Sequence, residues 1–182
     1  MSTPLVLPTL VGDAVRLRGF GPADLPLVRE ATTDPLIPLI TSVPAFGDDD
    51  ACRAYLARQT DRLTSRAGYA FAVAERGTDL AVGHVYLGLR DLDLGRATVG
   101  YWIARSQRGR GLAGDALRTL VRWAVTVPGI DRLELYVEPW NVASARTAVS
   151  AGFVREGLLR SWQKVGDERK DMDMYSVVSP QV

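Results

Sequence analysis

Between Arg108 and Gly114 the chain sets two arginines and three glycines within seven residues. Glycines let a backbone approach an anion closely and the arginines add formal positive charge, so this stretch is suited to holding a phosphate group. Residues able to move protons are few. His84, the single histidine, has an ordinary pKa suited to a general base at neutral pH. Glu138, just before Pro139, is a second candidate base. Asn141 follows Pro139-Trp140 and is a good helix N-cap, which puts Ser144 in the first turn of that helix. Capping uses the Asn141 amide oxygen and leaves its NH2 donors free for a ligand. Asp48-Asp49-Asp50 reads as a helix start, not a metal site, and no metal is expected. Cys52, the only cysteine, has no internal disulfide partner and is expected to fill space in the core.

These residues need a strand, a turn and a helix in that order, and the hydrophobic pattern supplies them. Ala97 to Ala104 is a strand-like run. From Gly111 to about Thr126, Leu112, Ala113, Ala116, Leu117, Leu120 and Ala124 share one helical face, with Asp115, Arg118 and Arg122 elsewhere. That order leaves unpaired backbone N–H groups at the positive end of a helix dipole. Upstream, the pattern predicts a strand at 15–18, a short helix from Asp24 to about Ala31, an irregular loop over 32–47 and a helix from 48 to about 65. Antiparallel strands follow at 69–75, 80–90 and from 96. Downstream come a strand at 132–137, a helix from 141 to 152, a strand from 153 to about 159, a Gly166-Asp167 turn and a last strand at 170–178. Residues 1–13, interrupted by Pro4, Pro8 and Gly12, read as a loosely held arm. The whole, 1–182, is expected to be one α+β domain around a mixed, mostly antiparallel sheet of about seven strands with about four helices.

The net charge of +1 gives no case for a nucleic-acid or membrane partner. Neither a signal-peptide pattern at Met1 to Pro8 nor a run long enough to span a membrane is visible, so a cytoplasmic setting is expected. Of the 22 basic residues, 13 lie after Gly95, in the half that carries the glycine turn.

Three phosphate ligands compete for that turn. A P-loop needs Lys-Ser/Thr after its last glycine, and Asp115 stands there. Gly109 to Gly114 formally matches the dinucleotide pattern G-x-G-x-x-G, with Glu134 about twenty residues on. Against this, Arg105-Ser106-Gln107-Arg108 separates the strand from the first glycine, and too little chain follows for a second mononucleotide half. The third ligand is acyl-coenzyme A. Arg108-Gly109-Arg110-Gly111-Leu112-Ala113 resembles the R-x-x-G-x-A pyrophosphate loop of the Gcn5-related N-acetyltransferases (GNAT). Asn141-Val142-Ala143-Ser144 and Ala151-Gly152-Phe153 follow at a similar interval to that family. With Val99-Gly100-Tyr101-Trp102-Ile103, they resemble its RimJ/RimL-type branch of ribosomal-protein N-terminal acetyltransferases.

The resemblance implies a GNAT fold with splayed central strands and acetyl transfer from acetyl-CoA to a primary amine, either a protein N-terminus or a small amine. It implies that Arg108, Gly109, Arg110, Gly111, Leu112, Ala113 and Gly114 hold the pyrophosphate. Backbone groups of Trp102, Ile103 and Ala104, with Asn141 and Ser144, would hold the pantetheine arm. Ser144 would face the sulfur as proton donor, because Ala148 occupies the position where many members carry a tyrosine. Gln163 stands where the branch carries a glutamate and cannot act as a base, which leaves a catalytically inactive coenzyme-binding module as an alternative. Loop 32–47 and the Ser161–Arg169 segment are expected to shape the acceptor site. No interface signal is present, and a homodimer stays open.

Overall fold

The computed structural model describes residues 5–179; residues 1–4 of the expected arm lie outside them. Eight strands form one sheet: β1 (Leu10–Val11), β2 (Val15–Arg18), β3 (Gly68–Glu75), β4 (Ala81–Gly88), β5 (Arg96–Ile103), β6 (Arg132–Val137), β7 (Val154–Val165) and β8 (Glu168–Val178). Five α-helices accompany them: α1 (Leu25–Thr32), α2 (Ile37–Ile40), α3 (Asp49–Thr64), α4 (Leu112–Ala124) and α5 (Val142–Ser150). The strand order is β1-β2-β3-β4-β5-β6-β8-β7. Every neighbouring pair is antiparallel except β5–β6. This is the α+β sheet read from the sequence, with one strand and one helix more.

Alternation along the strands divides the core between the two faces of the sheet. Leu17, Phe71, Val73 and Val85 pack with Leu112, Ala116, Leu117 and Leu120 of α4 on one face. On the other, Ala72, Trp102 and Ala104 meet Val28 and Ala31 of α1, Ile37 of α2 and Cys52 and Tyr55 of α3. Cys52 is fully buried, as a packing residue should be.

Three local expectations are corrected. The arm is held rather than loose from Leu5 onward: Leu5, Leu7 and Leu10 pack on the core, and β1 pairs with β2. The reason lies in Asp115, which was expected off the buried face of α4 but is 3% exposed. Its carboxylate accepts the N–H groups of Ala14 and Val15 at 2.8 and 3.0 Å, closing the turn between the first two strands. Within loop 32–47 a single helical turn, α2, forms after Asp34, whose Oδ1 accepts the N–H groups of Leu36 and Ile37. The strand expected to end near Leu159 runs on to Val165, and the last strand starts at Glu168 instead of Lys170. The tight Gly166 turn lets β7 and β8 pair from Val165–Glu168 onward, with irregularities at Arg155/Gly157 and Leu159/Gln163 absorbing the mismatch.

Candidate active site

The parallel pair β5–β6 is joined only at Arg96–Arg132, Ala97–Leu133 and Thr98–Glu134. Beyond Thr98, β5 stays paired with β4 as far as Ile103, while β6 stays paired with β8 as far as Val137. The two central strands therefore splay, and a cleft of about 950 Å³ opens between them, a size suited to a large ligand.

The register decides which backbone groups face the gap. The N–H of Ala104 donates to the Val82 carbonyl at 2.9 Å. Opposed antiparallel residues alternate between bonded and unbonded pairs. Trp102, opposite His84, is therefore also spent on β4, and Tyr101 and Ile103 turn their backbone groups toward β6. Of the three backbones assigned to the pantetheine arm, Ile103 alone faces the cleft, and Tyr101 is the second one that does. Trp102 lines the cleft with its indole ring, and Ala104 anchors the sheet.

Beyond Ile103, a short 3-10 turn at Arg105–Gln107 leads to the glycine loop. Gly109 and Gly111 adopt φ of +77° and +74°, a left-handed conformation that favours glycine. A Cβ built on either would meet no atom within 4 Å, so the backbone there borders open space. Gly111 is the N-cap of α4 and no side chain caps that helix, which leaves its first N–H groups and the positive dipole end for an anion. Leu112, Ala113 and Gly114 complete this wall of the cleft.

The two arginines are less free than their sequence suggests. Arg108 donates through Nε to the Ile103 carbonyl at 3.0 Å and through its NH2 group to Asp34 at 2.7 Å. Asp34 is buried; against the upward push of burial, the N–H groups of Ile37 and Leu36 together with Arg108 hold its carboxyl below the usual range. Arg110 bonds to Gln107 and Glu75. Both guanidinium groups brace the loop while staying about half exposed at the cleft.

Across the gap, Asn141 caps α5 as its position implied: Oδ1 accepts the Ser144 N–H at 3.1 Å. The Ser144 hydroxyl lies 2.8 Å from the Tyr101 hydroxyl. Burial raises the Tyr101 pKa, against the hydrogen bonds of Ser144 and Thr147, so the phenol keeps its proton at neutral pH. Tyr101, which lines the cleft beside Ser144, was not among the site residues expected from the sequence. It stood inside the quoted strand phrase, but nothing local linked it to a serine 43 positions on. Ala148 is buried in the core.

Among the described residues that line the cleft, Glu138 is the sole carboxylate, against Arg62, Arg108 and Arg110. Its Oε2 accepts the Trp140 indole N–H at 2.8 Å. His84 also lines the cleft, but burial pushes its pKa down to about 3. The imidazole is therefore neutral at neutral pH, and its Nδ1 is hydrogen-bonded to the Tyr55 hydroxyl. Leu36, Ile37, Ile40 and Thr41 form an outer wall, and Gln163 reaches the cleft from β7. Among the described residues there is no cluster suited to a metal ion and no helix long and apolar enough to cross a membrane.

Comparison with known proteins agrees with this geometry. Residues 14–154 match the model of the acetyltransferase (GNAT) domain. A Bacillus licheniformis protein known as uncharacterized N-acetyltransferase p20 is 27% identical over 170 residues, covering 93% of this chain and 96% of that protein. The ribosomal-protein-serine acetyltransferase of Escherichia coli is 28% identical over 80 residues, 44% of this chain and 45% of the relative. Mycobacterium smegmatis RimJ, solved with CoA-disulfide, superposes with a TM-score of 0.80 at 24% identity, covering 98% of this chain and 90% of that one. The splayed strands, the uncapped glycine turn and the family match over most of the chain converge, and the chain belongs to the GNAT acetyltransferase family as an acetyl-CoA-dependent N-acetyltransferase.

Proposed function

We propose that the enzyme acetylates a primary amine by direct attack within a ternary complex, with a protein N-terminal α-amino group as the leading acceptor and a small amine as the alternative. The observation that carries this reading is the cleft itself: an anion cradle at one end, exposed backbone along the splay and a protonated hydroxyl pair beside it. The loop Gly109 to Gly114 would hold the pyrophosphate through its N–H groups, and Tyr101 and Ile103 would pair with the pantetheine arm. Acetyl-CoA, when bound, supplies a thioester carbonyl for the amine. The departing thiol, with a pKa near 8.5 if it behaves like cysteine, needs little acid help. The Tyr101–Ser144 pair provides it, Ser144 handing on a proton that Tyr101 replaces. Glu138 is the carboxylate available to take the proton from the amine, directly or through water. Positioning and dipoles aimed at the carbonyl do the rest.

The likeness to a ribosomal-protein-serine acetyltransferase supports a protein acceptor. So does Arg62 on the far side of the cleft from the glycine loop, a cation that would receive a polycationic amine poorly. Thiol release from acetyl-CoA, measured with N-terminal peptides and small amines, tests the proposal. The expected result is turnover with peptides. Binding of acetyl-CoA without turnover on any amine would leave a coenzyme-binding module in its place.

A further inference from the structure

One polar cluster on the acceptor side is not used by the chemistry described so far. Tyr55 of α3, His84 of β4 and Trp102 of β5 lie on the α1–α3 face of the sheet and line the cleft. The Tyr55 hydroxyl and His84 Nδ1 are 2.8 Å apart. Burial lifts the phenol's pKa well above its ordinary value, against the opposing pull of the Trp102 indole, Arg62 and Arg58. Tyr55 therefore keeps its proton, and Nδ1 is the acceptor at hand. Accepting there makes the neutral imidazole an Nε2–H tautomer, a donor toward the other side. Trp102 Nε1–H is a donor only; it approaches the phenol without forming a hydrogen bond.

His84 Nε2 and Trp102 Nε1 are both buried without a partner, on residues 7% and 4% exposed. Buried donors are satisfied in the great majority of cases, and an orphaned pair beside a cleft asks for a ligand atom. Arg62, stacked over Tyr86, adds a cation, Ile37 and Ile40 add apolar surface, and Glu138, the sole lining carboxylate among the described residues, follows the end of β6.

We propose that Trp102 Nε1–H and His84 Nε2–H recognise a carbonyl-type oxygen of the amine substrate, so that the acceptor is an α-amino carbonyl compound and not a simple amine or polyamine. The oxygen belongs either to the first peptide unit of an N-terminus or to the carboxylate of a free amino acid; Arg62 would assist the second. Two polar donors left unpaired make such a site reject an analogue that lacks the oxygen. This deepens the proposed function and rests on it.

The test uses alaninamide, alanine and ethylamine, which share an amine and differ in the oxygen. In 15N-labelled protein saturated with coenzyme A, the Trp102 indole resonance, identified by its loss in Trp102→Phe, should move with alaninamide or alanine and stay in place with ethylamine. Alaninamide separates the peptide source from the carboxylate source. In turnover, the kcat/KM preference for the better of these two over ethylamine should fall about tenfold in Trp102→Phe; as a ratio within one variant, it is indifferent to a general loss of activity. An indole resonance that ignores all three compounds, or answers all three alike, would overturn the proposal in favour of a buried water. A moving resonance without thiol release would sink acetyl transfer and leave the recognition standing; turnover with an unchanged preference would sink the recognition alone.

Discussion

Tyr101 and Ser144 share one hydrogen bond of 2.8 Å and, in our mechanism, one proton. Removing either hydroxyl breaks the same relay. Ser144→Ala and Tyr101→Phe should therefore each lower kcat about tenfold, and the double variant should be little worse than the single ones, because residues acting as a unit are not additive. Two effects that simply multiply in steady-state kinetics would mean separate roles. The base is probed by Glu138→Gln, for which a kcat/KM loss of about a hundredfold is expected; activity within a few-fold of the parent would hand the role to water. The sequence made Asn141 and Ser144 legible because a cap and its helix lie within one turn. It hid Tyr101, Asp34 and the Tyr55–His84–Trp102 cluster, whose partners meet only once the sheet forms. It also gave His84 an ordinary histidine pKa, which says nothing about burial.

At the scale of elements, β6, β7 and β8 are tied by one polar seam. Arg132 of β6 bonds to Glu156 of β7 at 2.8 and 2.5 Å, and Ser176 of β8 donates to the same carboxylate at 2.5 Å. The Arg132 guanidinium and the Ser176 hydroxyl pull the Glu156 pKa down to about 2. A carboxyl depressed in the folded state adds stability above its unfolded value, about 4.3. That contribution is lost as pH falls from there through about 2. Glu156→Gln should therefore be less stable than the parent at pH 7 and lose less on acidification between pH 5 and 2, as read from urea midpoints. Parallel acid limbs would remove Glu156 from the account. The same hairpin shows why element limits were partly hidden. A strand on the sheet edge, exposed along most of its length, carries no clean alternation to mark its continuation past Leu159. β3, buried along nearly its whole length, was legible from the alternation at 69–75 and the hairpin turn at 76–79. The β1 pairing was masked because its anchor, Asp115, lies about a hundred positions away.

For the whole molecule, the donor site is braced from outside itself. Arg108 reaches Asp34 before α2, Arg110 reaches Glu75 at the end of β3, and the Ser106 N–H and hydroxyl donate to Glu30 of α1 at 2.8 and 2.9 Å. These contacts hold the loop against three separate parts of the fold, so phosphate binding would rest mainly on preset N–H groups, with arginine charge already partly neutralised. Binding to the native state alone must raise its melting temperature. At a concentration a hundred times Kd the gain is about 2.7 kcal/mol, or roughly 5–10 °C for a domain of this size. Acetyl-CoA should produce that shift in scanning fluorimetry and NAD should not. Arg110→Ala should keep most of it, having removed a brace and a shared charge. Gly111→Asp should erase it, because the variant puts an anion where the phosphates belong and forces a side chain into φ +74°. A Gly111→Ala variant separates these causes, since it strains the same backbone without the charge. If Gly111→Asp still showed the full shift, the phosphates would have to lie elsewhere; if Arg110→Ala lost it entirely, arginine charge, and not the N–H cradle, would be holding the donor.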